Sequence, residues 1–478
     1  MIGGPRLSME IMGFGIDYTT RQPLVDPQDE HDIYKAIINS MPHETLPGLT
    51  ATTTSSRVFR LGIERRRYPN LGDPLEVGWK YLIHEDEPNR DEIIDIIKPL
   101  AIHRGMKDPD QPLIYNKDLD EYSWWSWLRK FSWSLSFHRR PYYVFIIGGP
   151  EEIPFRFQAI LDSTSAVGRV HFNTLAELQN YVDKVIRLEN SNPVVNREAV
   201  FYATDGGITD PTFFSREFMV KPLSNYVENV LKFNTKKLMG DEATKQNFVD
   251  TLENSKPALV YTASHGLGAP NEDLQTQKRY NGAICTQEMH TTHLPLHDCI
   301  YSADDVIPNT NYLEGSLFFE FSCFSYGTPW VSDYDHWLGK STINSHEDFI
   351  SALPMELLAH PNGPIGFIGH VDTAWLHGFA DPQNPFIIDK WHSRLGPFQH
   401  AVNEVLQSSS FGLILNSMNK GFDIGNATIT NFYDMCRRTG DMDLLTLEEE
   451  SFFVENWITR SDAQNYMLFG DPGTYVQV

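Results

Sequence analysis

Apolar and polar positions along the later two thirds of this chain follow two alternating rhythms. The run 142-YYVFIIGG-149 is apolar throughout and stops at glycines, the pattern of a strand covered on both faces. A second strand is predicted over 167-VGRVHF-172. Between them and the next strand, 174-TLAELQNYVDKVIRLEN-190 sets Leu175, Leu178, Val182, Val185 and Leu188 at three- and four-residue spacing behind Asn173 or Thr174, a capped amphipathic helix. The rhythm continues with AVFYAT (199–204) as strand, EATKQNFVDTLEN (242–254) as helix and PALVYTA (257–263) as strand. SLFFEFSCF (316–324), the helical DFISALPMELLAH (348–360) and GPIGFIGH (363–370) complete it. Strands alternating with helices predict a mostly parallel α/β sheet flanked by helices, with its chemistry at the carboxyl ends of the strands.

The first 120 residues lack this order. A Thr/Ser-rich 50-TATTTSS-56, a basic ERRR at 64–67 and an acidic 85-EDEPNRDEIIDII-97 succeed one another without a period. The reading is therefore an adaptor or regulatory region over 1–120, a smaller N-terminal α/β subdomain over 121–195, and a catalytic domain over 196–478. In WWSWLRKFSW (124–133), Trp124, Trp127 and Phe131 share one helical face and are assigned to packing.

Charge and composition narrow the partners. With 39 basic against 63 acidic residues, a formal net charge of -24 argues against a nucleic-acid partner, which draws on a basic surface. No apolar run approaches the ~18 residues of a membrane span, and MIGGPRLSMEIMGFG lacks the layout of a secretory signal. The expectation is a soluble, cytoplasmic protein with no membrane partner. Cys285, Cys299, Cys323 and Cys436 are too few for a disulfide framework and suit a reducing compartment.

Two of the strands end in reactive groups, PALVYTAS at His265 and LFFEFS at Cys323. If the strands are parallel neighbours, both side chains reach the same sheet edge. A thiol is mostly protonated at neutral pH and needs a base to become a nucleophile, so the pair suits acyl transfer. The backbone N–H groups of Gly266 and Cys323 would then hold the developing oxyanion. Each residue alone has a bland reading, a small buried cysteine or a His-Gly turn. Weight comes from both following strands of one sheet and opening into the glycine-containing loops HGLG and CFSYG. Glu320 either orients His265 or hydrogen-bonds at the sheet end. The run 285-CTQEMHTTHLPLHDC-299 offers Cys285, His290, His293, His297 and Cys299 to a structural zinc, but its spacing matches no paired-ligand pattern, and no metal is assigned.

YTASHG and FFEFSCFSYGTP resemble the His-Gly and Cys blocks of the caspase-like cysteine peptidases, and the surrounding blocks resemble the gingipain-type branch. FIIGGPEEIPF (145–155), AVGRVHFNTLAELQNYVDKVIRLEN (166–190), GPIGFIGHVDTAW (363–375) and YMLFGDPGTYV (466–476) follow in the same order. The resemblance implies a caspase-like fold and cysteine endopeptidase activity without a cofactor. It places the base at His265, the nucleophile at Cys323 and oxyanion donors at the backbones of Gly266 and Cys323. It also implies cleavage after Arg or Lys, with Asp162 as the floor of the P1 pocket, Trp375 as a pocket wall and Asp372 either a second reader of the basic side chain or a turn cap. A substrate would pair along GPIGFIGHVDTAW as an added strand. An acidic pocket would make Lys278 and Arg279, in the polar 275-QTQKRYNG-282, a candidate self-processing site, against the alternative of an ordinary exposed loop. Partners are then a protein substrate and a regulatory protein acting through residues 1–120. The competing reading is an inactive caspase-like scaffold or binding protein, with or without zinc.

Overall fold

The computed structural model describes residues 10–40, 69–118, 123–124, 141–191, 197–307, 313–334, 344–380, 394–439 and 446–478. Thr/Ser-rich 50–56, basic 64–67, Trp127 and Phe131 lie outside them.

The strands that bear on the argument are β1 (Gly15–Asp17), β2 (Gln22–Pro23), β3 (Trp79–His84), β4 (Leu113–Tyr115), β5 (Tyr143–Ile147), β6 (Ala166–Val170), β7 (Glu198–Ala203), β8 (Asn234–Met239), β9 (Leu259–Ala263), β10 (Gly266–Gly268), β11 (Ile284–Cys285), β12 (Ile300–Tyr301), β13 (Leu317–Phe321), β14 (Gly366–His370) and β15 (Tyr466–Phe469). The helices that bear on the argument are α1 (Glu30–Ser40), α2 (Arg90–His103), α3 (Phe155–Asp162), α4 (Leu175–Ser191), α5 (Lys221–Asn229), α6 (Lys245–Glu253), α7 (Leu274–Tyr280), α8 (Ala352–Ala359), α9 (Gly396–Val405), α10 (Asn416–Thr439) and α11 (Leu447–Gln464).

Ten strands form one sheet in the order β4-β3-β5-β6-β15-β14-β13-β9-β7-β8. Neighbours are parallel through β4-β3-β5-β6 and again through β14-β13-β9-β7-β8, and β15 pairs antiparallel with β14. The central strands β5, β6, β9, β13 and β14 are buried at every position. This explains their continuous apolar runs, because helices cover both faces. In α4 the periodic Leu178, Val182, Val185 and Leu188 are buried as the spacing requires. Thr174 and Glu177 close its start reciprocally, Thr174 N–H to Glu177 Oε2 at 2.8 Å and Glu177 N–H to Thr174 Oγ1 at 3.3 Å.

The result is the mixed α/β, mostly parallel sheet flanked by helices expected from the sequence. The boundary drawn at residue 120 has no counterpart as a break in the sheet, since β3 pairs with β5 through Trp79↔Tyr143 to Leu82↔Ile146. A second, small sheet, β12-β11-β10-β1-β2, lies beyond the end of β9. Its β1 brings residues from the start of the chain to the strand that follows His265, in register Gly15↔Gly266, Ile16↔Leu267 and Asp17↔Gly268.

Candidate active site

β9 and β13 are parallel neighbours in register from Leu259↔Leu317 to Ala263↔Phe321. Each strand runs two residues past its last pair before reaching His265 or Cys323, so equal strand ends deliver both side chains to one edge. The backbones there nearly touch: a Cβ added to Gly266 would lie 1.9 Å from the Cys323 carbonyl oxygen and 2.4 Å from its nitrogen. No residue but glycine fits that approach. Immediately beyond the nucleophile position, Phe324 has φ 60 and Asp372 has φ 68. The Phe324 N–H donates to the Asp372 carbonyl at 2.9 Å, which ties these two left-handed residues together around Cys323.

Both ring nitrogens of His265 are engaged. Nε2 stands 2.9 and 3.0 Å from the two oxygens of Asp210, and Nδ1 stands 2.8 Å from the Phe14 carbonyl oxygen. Asp210 caps the single helical turn Pro211–Ser215, where its Oδ1 also accepts from the Thr212 backbone N–H and hydroxyl. Burial opposes charge on Asp210, but the His265 imidazole and the Thr212 hydroxyl outweigh it and hold the carboxyl well below the usual range. A carboxylate on Nε2 fixes that nitrogen as a donor, and Nδ1 becomes the working nitrogen once the Phe14 carbonyl oxygen it faces is withdrawn.

Cys323 is fully buried. Burial pushes its thiol far above the ordinary range, partly offset by the Ala374 N–H, which donates to Sγ at 3.2 Å. The thiol is therefore protonated at rest, and proton removal by a base belongs to the chemical step.

The remaining sequence candidates are placed as follows. Gly266 points its N–H into the groove, where it donates to the Phe14 carbonyl at 3.0 Å. Trp375 is fully buried beside the groove, edge-on to Tyr334 at 5.2 Å, and lies 3.5 Å from a Cβ position at Gly13. Asp162 is not brought to the site. It ends α3 just before β6, where its carboxylate accepts from the Val167 N–H at 3.0 Å and its carbonyl oxygen from the Asn419 amide at 3.3 Å. Asp372 is near Cys323 but committed to its own loop, accepting from Ser332 Oγ at 2.7 Å, Asp333 N–H at 2.8 Å and Thr373 N–H at 2.8 Å. It is the turn cap of the two alternatives. Glu320 accepts from Ser322 Oγ at 2.7 Å, the sheet-end bond rather than a contact to His265, and burial pushes its carboxyl up to about 8.

Lys278 and Arg279 correct an expectation. Their segment is helix α7, not a polar loop, and the two are paired with Glu347 at 2.6 Å and Asp304 at 2.8 Å. A helical peptide bond cannot adopt the extended form a groove requires without unfolding, so this segment lacks the geometry of a processing site. The Cys/His run is also dispersed: Cys285 and Cys299 are buried in an apolar cluster and His297 pairs with Asp298 at the surface. From this run it is His290 that turns to the site, its ring 5.4 Å from that of His265. Asp210, His265 and His290 offer ligand atoms all within 4.8 Å of one another, the set among the described residues that could hold a metal ion.

The sequence reading missed Asp210 and the segment around Phe14. TDPT at 209–212 carries a helix-cap signal, but nothing in it points to His265.

A family model for peptidase family C25 matches residues 128–477. The chain belongs to peptidase family C25. The matched span holds β5 through β15, with His265 and Cys323 among its residues, and it makes the protein a cysteine endopeptidase of the gingipain family. Solved structures similar to this C25 chain include "Complex of Porphyromonas gingivalis RgpB pro- and mature domains", 13% identical over 83% of this chain and 79% of that one, with a TM-score of 0.47. "Crystal structure of the Arg specific cysteine proteinase gingipain R (RGPB)" is 13% identical over 84% and 78%, also with a TM-score of 0.47. A third, titled "Structure of Protease", is 11% identical over 83% and 78%, with a TM-score of 0.45. No curated protein matches the chain. Among the described residues no helix is long and apolar enough to cross a membrane.

Proposed function

We propose that this C25 peptidase cleaves peptide bonds with Cys323 as nucleophile, His265 as base and Asp210 as the residue that positions the base. The observation that carries the reading is the delivery of His265 and Cys323 to one edge by β9 and β13 with a glycine-only approach between them. With Asp210 holding Nε2, Nδ1 takes the thiol proton as sulfur attacks the substrate carbonyl. The tetrahedral intermediate's oxygen is stabilised by the Gly266 N–H, with the Cys323 N–H as second donor. The same ring returns the proton to the departing amine, giving an acyl-enzyme that water hydrolyses. None of these steps calls on a cofactor.

The substrate is an extended segment of protein that pairs with residues 374–376 as an added strand. Cleavage after Arg or Lys enters this proposal through the resemblance alone, since the two carboxylates suggested to read a basic side chain are committed elsewhere. Restraint through the first part of the chain is also part of the proposal, supported by the seating of residues 11–18 beside the dyad.

Labelling by iodoacetamide tests the dyad directly. Modification should fall on Cys323, slow markedly in His265→Ala, and vanish in Cys323→Ala. Labelling of Cys285 or Cys299 instead, with Cys323 inert under every condition, supports the scaffold reading and overturns this one. A peptide panel with Arg, Lys and Phe at P1 measures the specificity.

A further inference from the structure

Residues 11–18 run through the groove beside Cys323 as an extended strand, and their bonds are those of a substrate. The Phe14 N–H donates to the Ala374 carbonyl at 3.0 Å, and the Leu376 N–H donates to the Met12 carbonyl at 3.1 Å, an antiparallel pairing centred on the Gly13↔Trp375 bridge. On the other side the Gly266 N–H and His265 Nδ1 both meet the Phe14 carbonyl oxygen. The carbonyl of residue 14 thus occupies the place where the proposed mechanism puts the carbonyl under attack. Past it, the chain continues along β10, and the Tyr18 N–H donates to the Gly268 carbonyl at 3.2 Å.

Side chains agree with the backbone. Phe14 is fully buried, its ring edge-on to Phe321 at 4.9 Å and tilted against Phe379 at 6.1 Å and His265 at 6.2 Å. Gly13 allows the strand to pass, since a Cβ there would fall 2.9 Å from the Thr373 methyl and 3.5 Å from the Trp375 ring. Downstream, α1 buries Ile33, Tyr34 and Ile37 in a cluster shared with Trp375 and with Phe453, Val454 and Ile458 of α11. Such a tether keeps the strand at a high effective concentration in the groove.

We infer that residues 11–17 are a built-in occupant of the substrate groove, that the subsite next to Cys323 is an aromatic pocket filled by Phe14, and that the peptidase is latent while this strand is seated. The inference rests on the dyad proposed above. His265 is then held between two acceptors, Asp210 and the Phe14 carbonyl, and a peptide substrate has to displace β1 to reach Nδ1 and the thiol.

Gly13→Val and Phe14→Asp should both unseat the strand, the first by collision with Thr373 and Trp375 and the second by burying a charge among Phe321 and Phe379. Expected are rises of about tenfold or more in iodoacetamide labelling of Cys323 and in peptide hydrolysis. In the unmodified chain, amide hydrogens of residues 12–18 should exchange slowly and be deprotected by a saturating peptide ending in Phe, a readout independent of whether the variants fold. Wild-type activity equal to that of the variants, or fast exchange at 12–18, overturns this inference and leaves the dyad intact. Released variants that label at Cys323 yet hydrolyse no peptide sink the proposed function instead.

A separate observation carries a second inference. His290 Nε2 is buried without a hydrogen-bond partner among the described residues, beside Asp210 and His265. The geometry points to a divalent transition-metal site, best suited to Zn²⁺, formed by Asp210, His265 Nε2 and His290. An ion there would take the nitrogen that Asp210 holds and leave Nδ1 unable to accept a proton. Titrating Cys323→Ala with Zn²⁺ should give one bound equivalent that is lost in the double variant Cys323→Ala/His290→Ala. Equal binding by both, or none by either, overturns the assignment.

Discussion

The two edges of the main sheet handle buried charge in opposite ways. At the edge where β3 begins, Arg104 is a closed network: Nη1 and Nη2 lie 2.6 Å from Glu189 and Nε lies 2.7 Å from Asp471. The Trp79 indole, the Gly473 N–H, the Thr474 hydroxyl and His103 fill the remaining sites on the two carboxylates. Burial works against Glu189, but Arg104 and His103 prevail and bring its carboxyl down to about 2. At the edge carrying Cys323, the Glu320 carboxyl is pushed up to about 8, and Glu320 Oε2, Thr262 Oγ1 and His290 Nε2 have no partner among the described residues. Two non-glycine residues there hold positive φ. Satisfied charges lock one edge. Strain and poised protons are concentrated at the other, where bonds must be exchanged during a reaction.

Substitutions should separate these edges. Cys323→Ala is expected to abolish peptide hydrolysis, a loss of about a thousandfold or more, with thermal melting nearly unchanged. Arg104→Ala should do the reverse. It leaves Glu189 and Asp471 buried and unpaired, costs about 3–5 kcal/mol in urea unfolding, and leaves kcat per folded molecule intact. Asp210→Asn should lower kcat about a hundredfold with little change in KM, because the imidazole loses its orienting anion while the groove keeps its shape. A rise in KM alone would assign Asp210 to substrate binding.

The edges also predict opposite responses to pH. Glu320 has a folded value above its unfolded one, so the native state binds the extra proton between about 4.5 and 8, and its contribution to stability falls as pH rises through that window. Glu320→Gln should remove up to about 1.4 kcal/mol per pH unit of that slope. Glu189 is depressed, so its stabilisation is present above about 4.5 and is lost as pH falls toward 2. Denaturation profiles of the two single variants at pH 3, 6 and 8 distinguish the cases. The smallest effect is expected at Lys278 and Arg279, whose ion pairs are substantially exposed. Alanine at either should cost no more than about 0.5 kcal/mol, and the purified chain should show no split near residue 279 on a gel.

Half of the site is legible in the residue pattern. His265 and Cys323 stand out because each follows an apolar strand, and strand ends of an alternating α/β chain converge on one edge. Asp162 and Asp372 are candidates through the family resemblance and their place beside a strand and a loop, and neither ground shows which groups hold the carboxylate. Asp162 stands just before β6, and Asp372 is spent on Ser332, Asp333 and Thr373. The helix at Lys278–Arg279 is hidden because seven polar-rich residues show little hydrophobic period.

The sequence by itself determined the alternation of strands and helices, the parallel sheet, and the delivery of a thiol and an imidazole to one sheet edge, since hydrophobic periodicity and strand termination are local properties of the chain. Only the tertiary structure decided what faces that pair. Asp210 and His290 converge on His265 through packing, and Phe14 reaches it from 251 residues away through backbone N–H and C=O groups that every residue carries. Backbone pairing leaves no side-chain signature to read, and so the strand seated in the groove is visible only in the folded chain.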